Sequence, residues 1–204
     1  MSPGSNFRIA GIVLAAGRSS RMAPRNKLLE SIGGEPMVRR VVANALASGA
    51  RPVLVVTGHE AAAVTTALRG LDVTLVANPA YAEGLSTSLR AGLSALPAGI
   101  DGALICLGDM PEVGGPVLCA LMAAFTGTSA ICVPVRHGRR GNPVLWGSRY
   151  FAEMMGLTGD AGAKSLMERH AEHLIEVEAA TDSIFADVDA PEDLARLRQP
   201  RASS

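Results

Sequence analysis

The stretch from Ile9 to Met37, IAGIVLAAGRSSRMAPRNKLLESIGGEPM, constrains this chain more than any other. A short apolar run, Ile9–Leu14, reads as a buried strand and leads into a loop of small residues, Ala15-Ala16-Gly17. Guanidinium groups follow at Arg18, Arg21 and Arg25, and an ammonium group at Lys27. Small residues let a backbone approach a ligand closely, and successive N–H groups in such a loop make a concave anion site. Cations beside it add charge-assisted bonds to phosphate oxygens. The segment therefore reads as a triphosphate cradle, though not of the common kinds. A P-loop needs glycine directly before its lysine, and a dinucleotide fingerprint needs three spaced glycines where AAGRSSR supplies one.

The 204 residues suit one domain, expected at 1–199 with a flexible tail at 200–204. A hydrophobic fraction of 48% against 19% charged residues is that of a water-soluble globular chain. The net charge of zero argues against a nucleic-acid partner, which usually demands a basic excess. No apolar run reaches membrane-spanning length and MSPGSNFR lacks the apolar centre of a signal peptide, so no membrane partner is expected and the cytoplasm is the expected location. Lysine occurs only at Lys27 and Lys164, both in glycine-containing loop-to-helix segments. A GC-rich genome explains the scarcity but not the placement, and a compact ammonium is not equivalent to a guanidinium. Cys106, Cys119 and Cys132 fit no zinc spacing and read as buried small hydrophobes. The four histidines form no HExxH-like pair, so a zinc site is not expected.

Apolar strands alternate with helical patterns almost to the end. Strands are predicted at Ile9–Leu14, Pro52–Thr57, Val73–Ala77, Ala103–Leu107 and Ala130–Val135, with helices at Pro36–Ser48, Glu60–Leu68, Ser86–Leu96 and Pro116–Phe125. That pattern means a mostly parallel sheet buried on both faces. The last third is less regular: a strand at Asn142–Trp146, helices near Ser148–Met155 and Gly162–His170, strands near His173–Glu178 and Ile184–Val188, and a final helix from Pro191. In such sheets ligands bind beyond the carboxyl ends of strands, where Ala15–Lys27, Gly58–His59, Asn78–Ser88 and Gly108–Pro111 fall.

Within LGDMP, Asp109 follows a buried strand and is either a ligand for a hard cation or a turn former before Pro111. In DVDAPEDL, Asp187 and Asp189 alternate and share a face if the chain stays extended; they complete a metal site with Asp109 or merely favour the dipole of the next helix. In EGLSTSLRAGL, Ser86 reads as an N-cap, while Ser88 is free to meet a nucleotide. GRRGNPVLW and GDAGAK are ordinary turns or, for the second, an anion-binding helix entry.

The opening pattern, Leu14-Ala15-Ala16-Gly17-Arg18-Ser19-Ser20-Arg21-Met22 and then Lys27, resembles the signature of nucleotidyltransferases that activate small phosphorylated substrates. With EGLSTSLRAGL, LGDMP, RRGNPVLW, GDAGAK and DVDAPEDL in that order, the chain from Ile9 to Leu197 resembles the molybdenum-cofactor cytidylyltransferase family. The resemblance implies a three-layer α/β/α, Rossmann-like fold of the nucleotide-diphosphosugar-transferase type. It implies CTP and molybdopterin as substrates, Mg2+ as cofactor, and a molybdenum hydroxylase or its maturation chaperone as a further partner. Nucleotide contacts fall on Leu14, Ala15, Ala16, Gly17, Arg18, Arg21, Lys27, Ser88 and Asp109, the catalytic role on Arg21, Lys27 and Asp109, and the metal on Asp109 and Asp189. Acceptor contacts are assigned to Asn142, Asp160, Lys164 and Asp187. Ala16, where the guanosine branch usually has glycine, suggests cytidine; Ala23 replaces the usual glycine after Met22. Rival readings change the nucleotide to GTP, or change the acceptor to another phosphorylated small molecule. A rival from another class makes the chain a catalytically silent nucleotide-binding partner of a molybdenum enzyme.

Overall fold

A computed structural model describes residues 7–19, 22, 25–159 and 164–198. The strands are β1 (Ile9–Ala15), β2 (Ser31–Ile32), β3 (Glu35–Pro36), β4 (Val53–Thr57), β5 (Thr74–Ala77), β6 (Gly102–Leu107), β7 (Ile131–Arg136), β8 (Arg139–Arg140), β9 (Val144–Gly147) and β10 (Leu174–Glu178). The helices are α1 (Met37–Ala47), α2 (Ala61–Ala67), α3 (Leu85–Ser94), α4 (Gly115–Ala124), α5 (Phe151–Met155), α6 (Lys164–Arg169) and α7 (Pro191–Arg198). Among the described residues, eight strands form one sheet in the order β10-β7-β9-β6-β1-β4-β5, with β8 pairing off β7. All neighbours run parallel except β9, which is antiparallel to both β6 and β7, and the short β8.

Burial follows position in the sheet. β1 and β4 are buried at every residue, whereas the edge strands β5 and β10 are largely open. A strand covered on both faces has no polar side to spare, which is why the central runs read as continuous apolar sequence. Side chains of β1 divide between two cores: Val13 and Ala15 pack with Val38, Val42 and Val55 on one face, Ile12 and Leu14 with Val56, Leu89 and Trp146 on the other. Helix α1 presents Met37, Val38, Val41, Val42 and Ala45 as one buried stripe and ends before Gly49, whose φ of 88° is the left-handed conformation that glycine reaches without strain. A third, smaller core joins Met22, Ile32, Met37, Val188 and Leu194 and seats α7 against the segment after β1.

The strands and helices predicted in the first two thirds are present within a residue or two of their expected ends. The last third departs in specific places. Ile184–Val188 is not a strand: Asp182–Phe185 forms a 3-10 turn, and the Val188 N–H donates to the Asp109 carbonyl at 2.9 Å. Pro36 lies in β3, one residue before α1, rather than in the first helical turn. The two-residue strands β2, β3 and β8 were too short to leave a periodic signal. Cys119 is exposed on α4, contrary to the expectation that all three cysteines are buried. Burial pushes the Cys106 thiol up to about 12 and Cys132 to about 11, which keeps both as inert core residues. Residues 200–204 lie outside the described residues.

Candidate functional site

The carboxyl ends of β1 and β6 lie side by side, Leu14 in register with Leu107. The loops that leave them pack closely. The Gly108 N–H donates to the Leu14 carbonyl at 3.0 Å, and a Cβ at Gly108 would stand 2.9 Å from that oxygen. Gly58, at the end of β4, is likewise hemmed in by Tyr81 and Ala16. Side chains at these positions would push apart the strand ends that form the site.

A cleft of about 370 Å³ opens there, bordered by Leu14, Ala16, Gly17, Arg18, Ser19, Lys27, Tyr81, Gly84, Leu85, Ser88 and Asp109. Ala15 is buried beneath it in β1. The segment before Lys27 is tied down locally: Ser19 Oγ donates to Asn26 Oδ1 at 3.3 Å and accepts from the Lys27 N–H at 3.2 Å, while Asn26 Oδ1 accepts from the Leu28 N–H at 3.1 Å. Asn26 thus caps the 3-10 turn Lys27–Leu29. Arg21 and Asp160, two residues assigned from sequence, lie outside the described residues.

Lys27 Nζ donates to Asp109 Oδ2 and to Asp189 Oδ1, each at 2.8 Å. Burial by itself lowers the affinity of this ammonium for its proton, but the two carboxylates outweigh it and hold the group above its usual range. Asp187 belongs to the same constellation. Partial desolvation raises its carboxyl above the ordinary value, and the charges on Asp189 and Asp109 raise it further. Asp187 stays accessible to water. The chain is irregular here, and Asp187 senses the charges of Asp189, Asp109 and Lys27. The two carboxylates of Asp109 and Asp189 against one ammonium leave an excess of negative charge, and both offer hard oxygens. Such a set fits Mg2+ or Mn2+ and not a soft metal.

Asp189 is itself positioned by a residue that the sequence reading passed over. Asp193 Oδ2 accepts from the Asp189 N–H at 3.1 Å and the Ala190 N–H at 3.0 Å, closing the start of α7 as the acidic half of a capping box does. Those bonds hold the Asp193 carboxyl below the ordinary carboxylate range. The clue in sequence is an acid at the third helical position of APED.

At α3 the expected capping is absent. Gly84, with φ 111°, precedes the helix, and Ser86 lies inside its first turn with its Oγ buried and unpaired. No side chain caps this helix start; Thr87 Oγ1 instead donates to the Gly84 carbonyl at 2.9 Å. Asn78 Nδ2 donates to Thr87 Oγ1 at 2.9 Å and to Ser88 Oγ at 3.0 Å, fixing Ser88 at the cleft wall. Asn78 was not singled out from sequence, because a lone Asn after a strand carries no pattern.

Beyond Leu14, Leu85 and Leu107, which both spaces share, lies a second cavity of about 420 Å³. Leu89, Ile105, Val144, Trp146, Met154, Leu157 and Met167 wall it, and Arg140, Asn142, Lys164 and the unpaired Ser86 Oγ supply its polar groups. Asn142 and Lys164 thus fall together as expected, whereas Asp187 does not line it.

A cleft of cations and carboxylates beside an apolar cavity, at the carboxyl edge of a mostly parallel sheet, defines an α/β nucleotidyltransferase fold. The chain belongs to the family described as MobA-like NTP transferase domains, whose match spans residues 11–174. A nucleotidyl transferase from Methanothermobacter thermautotroptrophicus is similar over 95% of this chain and 97% of its own, with a TM-score of 0.83 and 29% identity. Rv0371C from Mycobacterium tuberculosis, solved as a complex with manganese, covers 94% of this chain and 98% of its own at TM-score 0.73 and 27% identity. The bifunctional protein GlmU of Pelobacter propionicus is 35% identical over 141 residues, which is 68% of this chain. The match takes in only 30% of that GlmU, so this chain corresponds to a minor part of the curated relative. Among the described residues, no helix is long and apolar enough to cross a membrane.

Proposed function

We propose that this chain transfers CMP from CTP to the terminal phosphate of molybdopterin, with release of pyrophosphate, in the maturation of a molybdenum hydroxylase. The observation that carries this reading is the junction of the two cavities: a phosphate-handling cleft opens into an apolar chamber across Leu14, Leu85 and Leu107. A flat heteroaromatic body gains from burial against Trp146, Leu89 and Met154, whereas a sugar would leave its hydroxyls facing hydrocarbon. Arg140 and Lys164 at the rim suit the anionic groups of such an acceptor.

In this reaction an acceptor phosphate oxygen attacks the α-phosphorus in line, one P–O bond forms, and the bond to pyrophosphate breaks. The work left to the protein is positioning and charge stabilisation. Backbone N–H groups of Ala16 and Gly17 with Arg18 cradle the nucleotide, Ser88 meets it from α3, and Arg21 adds a second guanidinium. Lys27 first holds the phosphates and then meets the charge that grows on the leaving pyrophosphate. Asp109 and Asp189, with Asp187 beside them, would hold Mg2+, which supplies Lewis-acid neutralisation of phosphate oxygens when bound. The manganese complex of the mycobacterial relative supports a divalent cation in proteins of this fold.

The GlmU similarity favours a second reading, nucleotidyl transfer to a sugar phosphate. Pyrophosphate release with each of the four NTPs, paired with molybdopterin or a sugar 1-phosphate, decides between them. CTP with molybdopterin is expected to dominate, with CTP ahead of GTP by about tenfold to a few hundredfold because Ala16 narrows the base side. Turnover confined to a sugar phosphate, or guanine dinucleotide as the main product, would overturn the assignment.

A further inference from the structure

The histidine spacing predicts no zinc site, yet the 3-10 turn Ala171–His173 gathers His170, Glu172 and His173, each offering a ligand atom within 4.8 Å of the others. We propose that these three residues bind a divalent transition metal, of which Zn2+ is the representative, at the opposite end of the sheet from the nucleotide cleft. The location follows from topology. His173 immediately precedes β10, which runs parallel to β7; β7 and β6 are both antiparallel to β9, so β6, β7 and β10 point the same way. The cleft lies beyond the carboxyl end of β6, and the cluster lies at the amino end of β10.

Two neutral imidazoles and a carboxylate form a ligand set that borderline metals take and that Mg2+ does not favour. His173 Nδ1 is buried and has no hydrogen-bond partner, although Glu172 Oε1 stands 3.2 Å away. The separation is that of two ligands on one tetrahedral metal, about 3.3 Å for bonds near 2.0–2.1 Å. His170 Nε2 lies 3.0 Å from Glu153 Oε1 and 3.2 Å from Oε2. A carboxylate that accepts the Nε2 proton leaves the lone pair on Nδ1 and fixes the ring, as outer carboxylates do for metal-bound histidines. Behind both rings sits Tyr150, its centroid 4.9 Å from His170 and 6.2 Å from His173, with its hydroxyl anchored to the Ser129 carbonyl at 2.8 Å. A cavity of about 340 Å³ beside Glu172 and His173 gives entry and room for a water ligand. The site ties the end of α6 to β10 and, through Glu153, to α5. Because α6 carries Met167 and Glu168 in the wall of the apolar cavity, the bound metal braces that wall.

Calorimetric titration of the full chain with Zn2+, in excess Mg2+ to saturate the aspartate cluster, tests this directly. One-to-one uptake and a rise in Tm are expected. His173→Ala is expected to weaken uptake by at least a hundredfold, and Glu153→Gln by about ten- to a hundredfold. The Glu172 side chain is 64% exposed, so Glu172→Gln spares the fold and should still weaken binding by tenfold or more. Absence of uptake by the unmodified protein overturns the proposal, as does uptake undiminished in either His173→Ala or Glu172→Gln.

Discussion

The two cavities that meet at Leu14, Leu85 and Leu107 differ in what they ask of a ligand. The nucleotide-side cleft is organised by charge: Lys27 sits between Asp109 and Asp189 at 2.8 Å from each, and Asp187 adds a third carboxylate field. The neighbouring chamber is organised by shape, with Trp146 and Met154 fully enclosed and polar groups only at isolated points. Charged groups in a partly desolvated cleft change the energy of a transition state far more than apolar walls, because electrostatic terms grow as water is excluded. Apolar walls act mainly on acceptor affinity. Substitutions on the first side should therefore strike kcat, and those on the second should strike the acceptor KM.

Asp109→Asn is the sharpest way to break that distinction. Loss of one hard anionic oxygen is expected to lower kcat on the order of a thousandfold or more. Lys27 keeps Asp189, so Tm should shift by only a few degrees. Near-normal turnover in steady-state assays would remove Asp109 from the chemistry.

Lys27→Ala follows, with about a hundredfold loss in kcat/KM divided between a higher KM for the nucleotide and a lower kcat. The raised ammonium also has a stability signature. Its contribution is fully present below the unfolded value of 10.5 and is lost as pH rises through the higher folded value. Alkaline unfolding curves of the two proteins should converge in that window, while urea midpoints at pH 8 should differ. Changed stability with intact kinetics would make Lys27 a structural residue alone.

Lys164→Ala tests the other side. It should raise the acceptor KM about tenfold, the worth of one charge-assisted contact, and leave the nucleotide KM unchanged. An equal effect on both constants would erase the division between the cavities.

The smallest effect belongs to Asp193→Ala. Losing the helix-entry bonds should cost about 1 kcal/mol and loosen Asp189, so more metal is needed for half-maximal rate. Because the folded carboxyl titrates below its ordinary value of 3.8, its contribution is present above pH 3.8 and lost as pH falls through the depressed value. Acid denaturation of mutant and parent should therefore coincide at the lowest pH and separate above it.

Residues in short local motifs are legible in the sequence. Leu14, Ala16, Gly17, Arg18, Lys27 and Asp109 follow apolar strands and border one cleft, while Asp189, suggested by the family resemblance, is bonded to Lys27. Strand and helix periodicity was legible for the same reason: strands buried on both faces must be apolar, and helices covering them must show one apolar stripe. Local composition thus determined the alternating α/β order and the phosphate-binding character of the first loop.

Only the tertiary structure decided how separated segments meet. The antiparallel insertion of β9 between β6 and β7 places Val144 and Trp146 opposite Ile105 and Ala103, and so creates the apolar chamber. No local pattern specifies strand neighbours, because pairing is won by contacts between residues distant in sequence. The same holds for Asp187, whose 3-10 approach replaced the expected strand, and for Asn78, which earns its role only where α3 folds back on it. His170, Glu172 and His173 are gathered by one local turn, but their backing by Tyr150 and Glu153 exists only because α5 packs against that turn. Residue type fixes what each group can do; long-range packing fixes what it can reach.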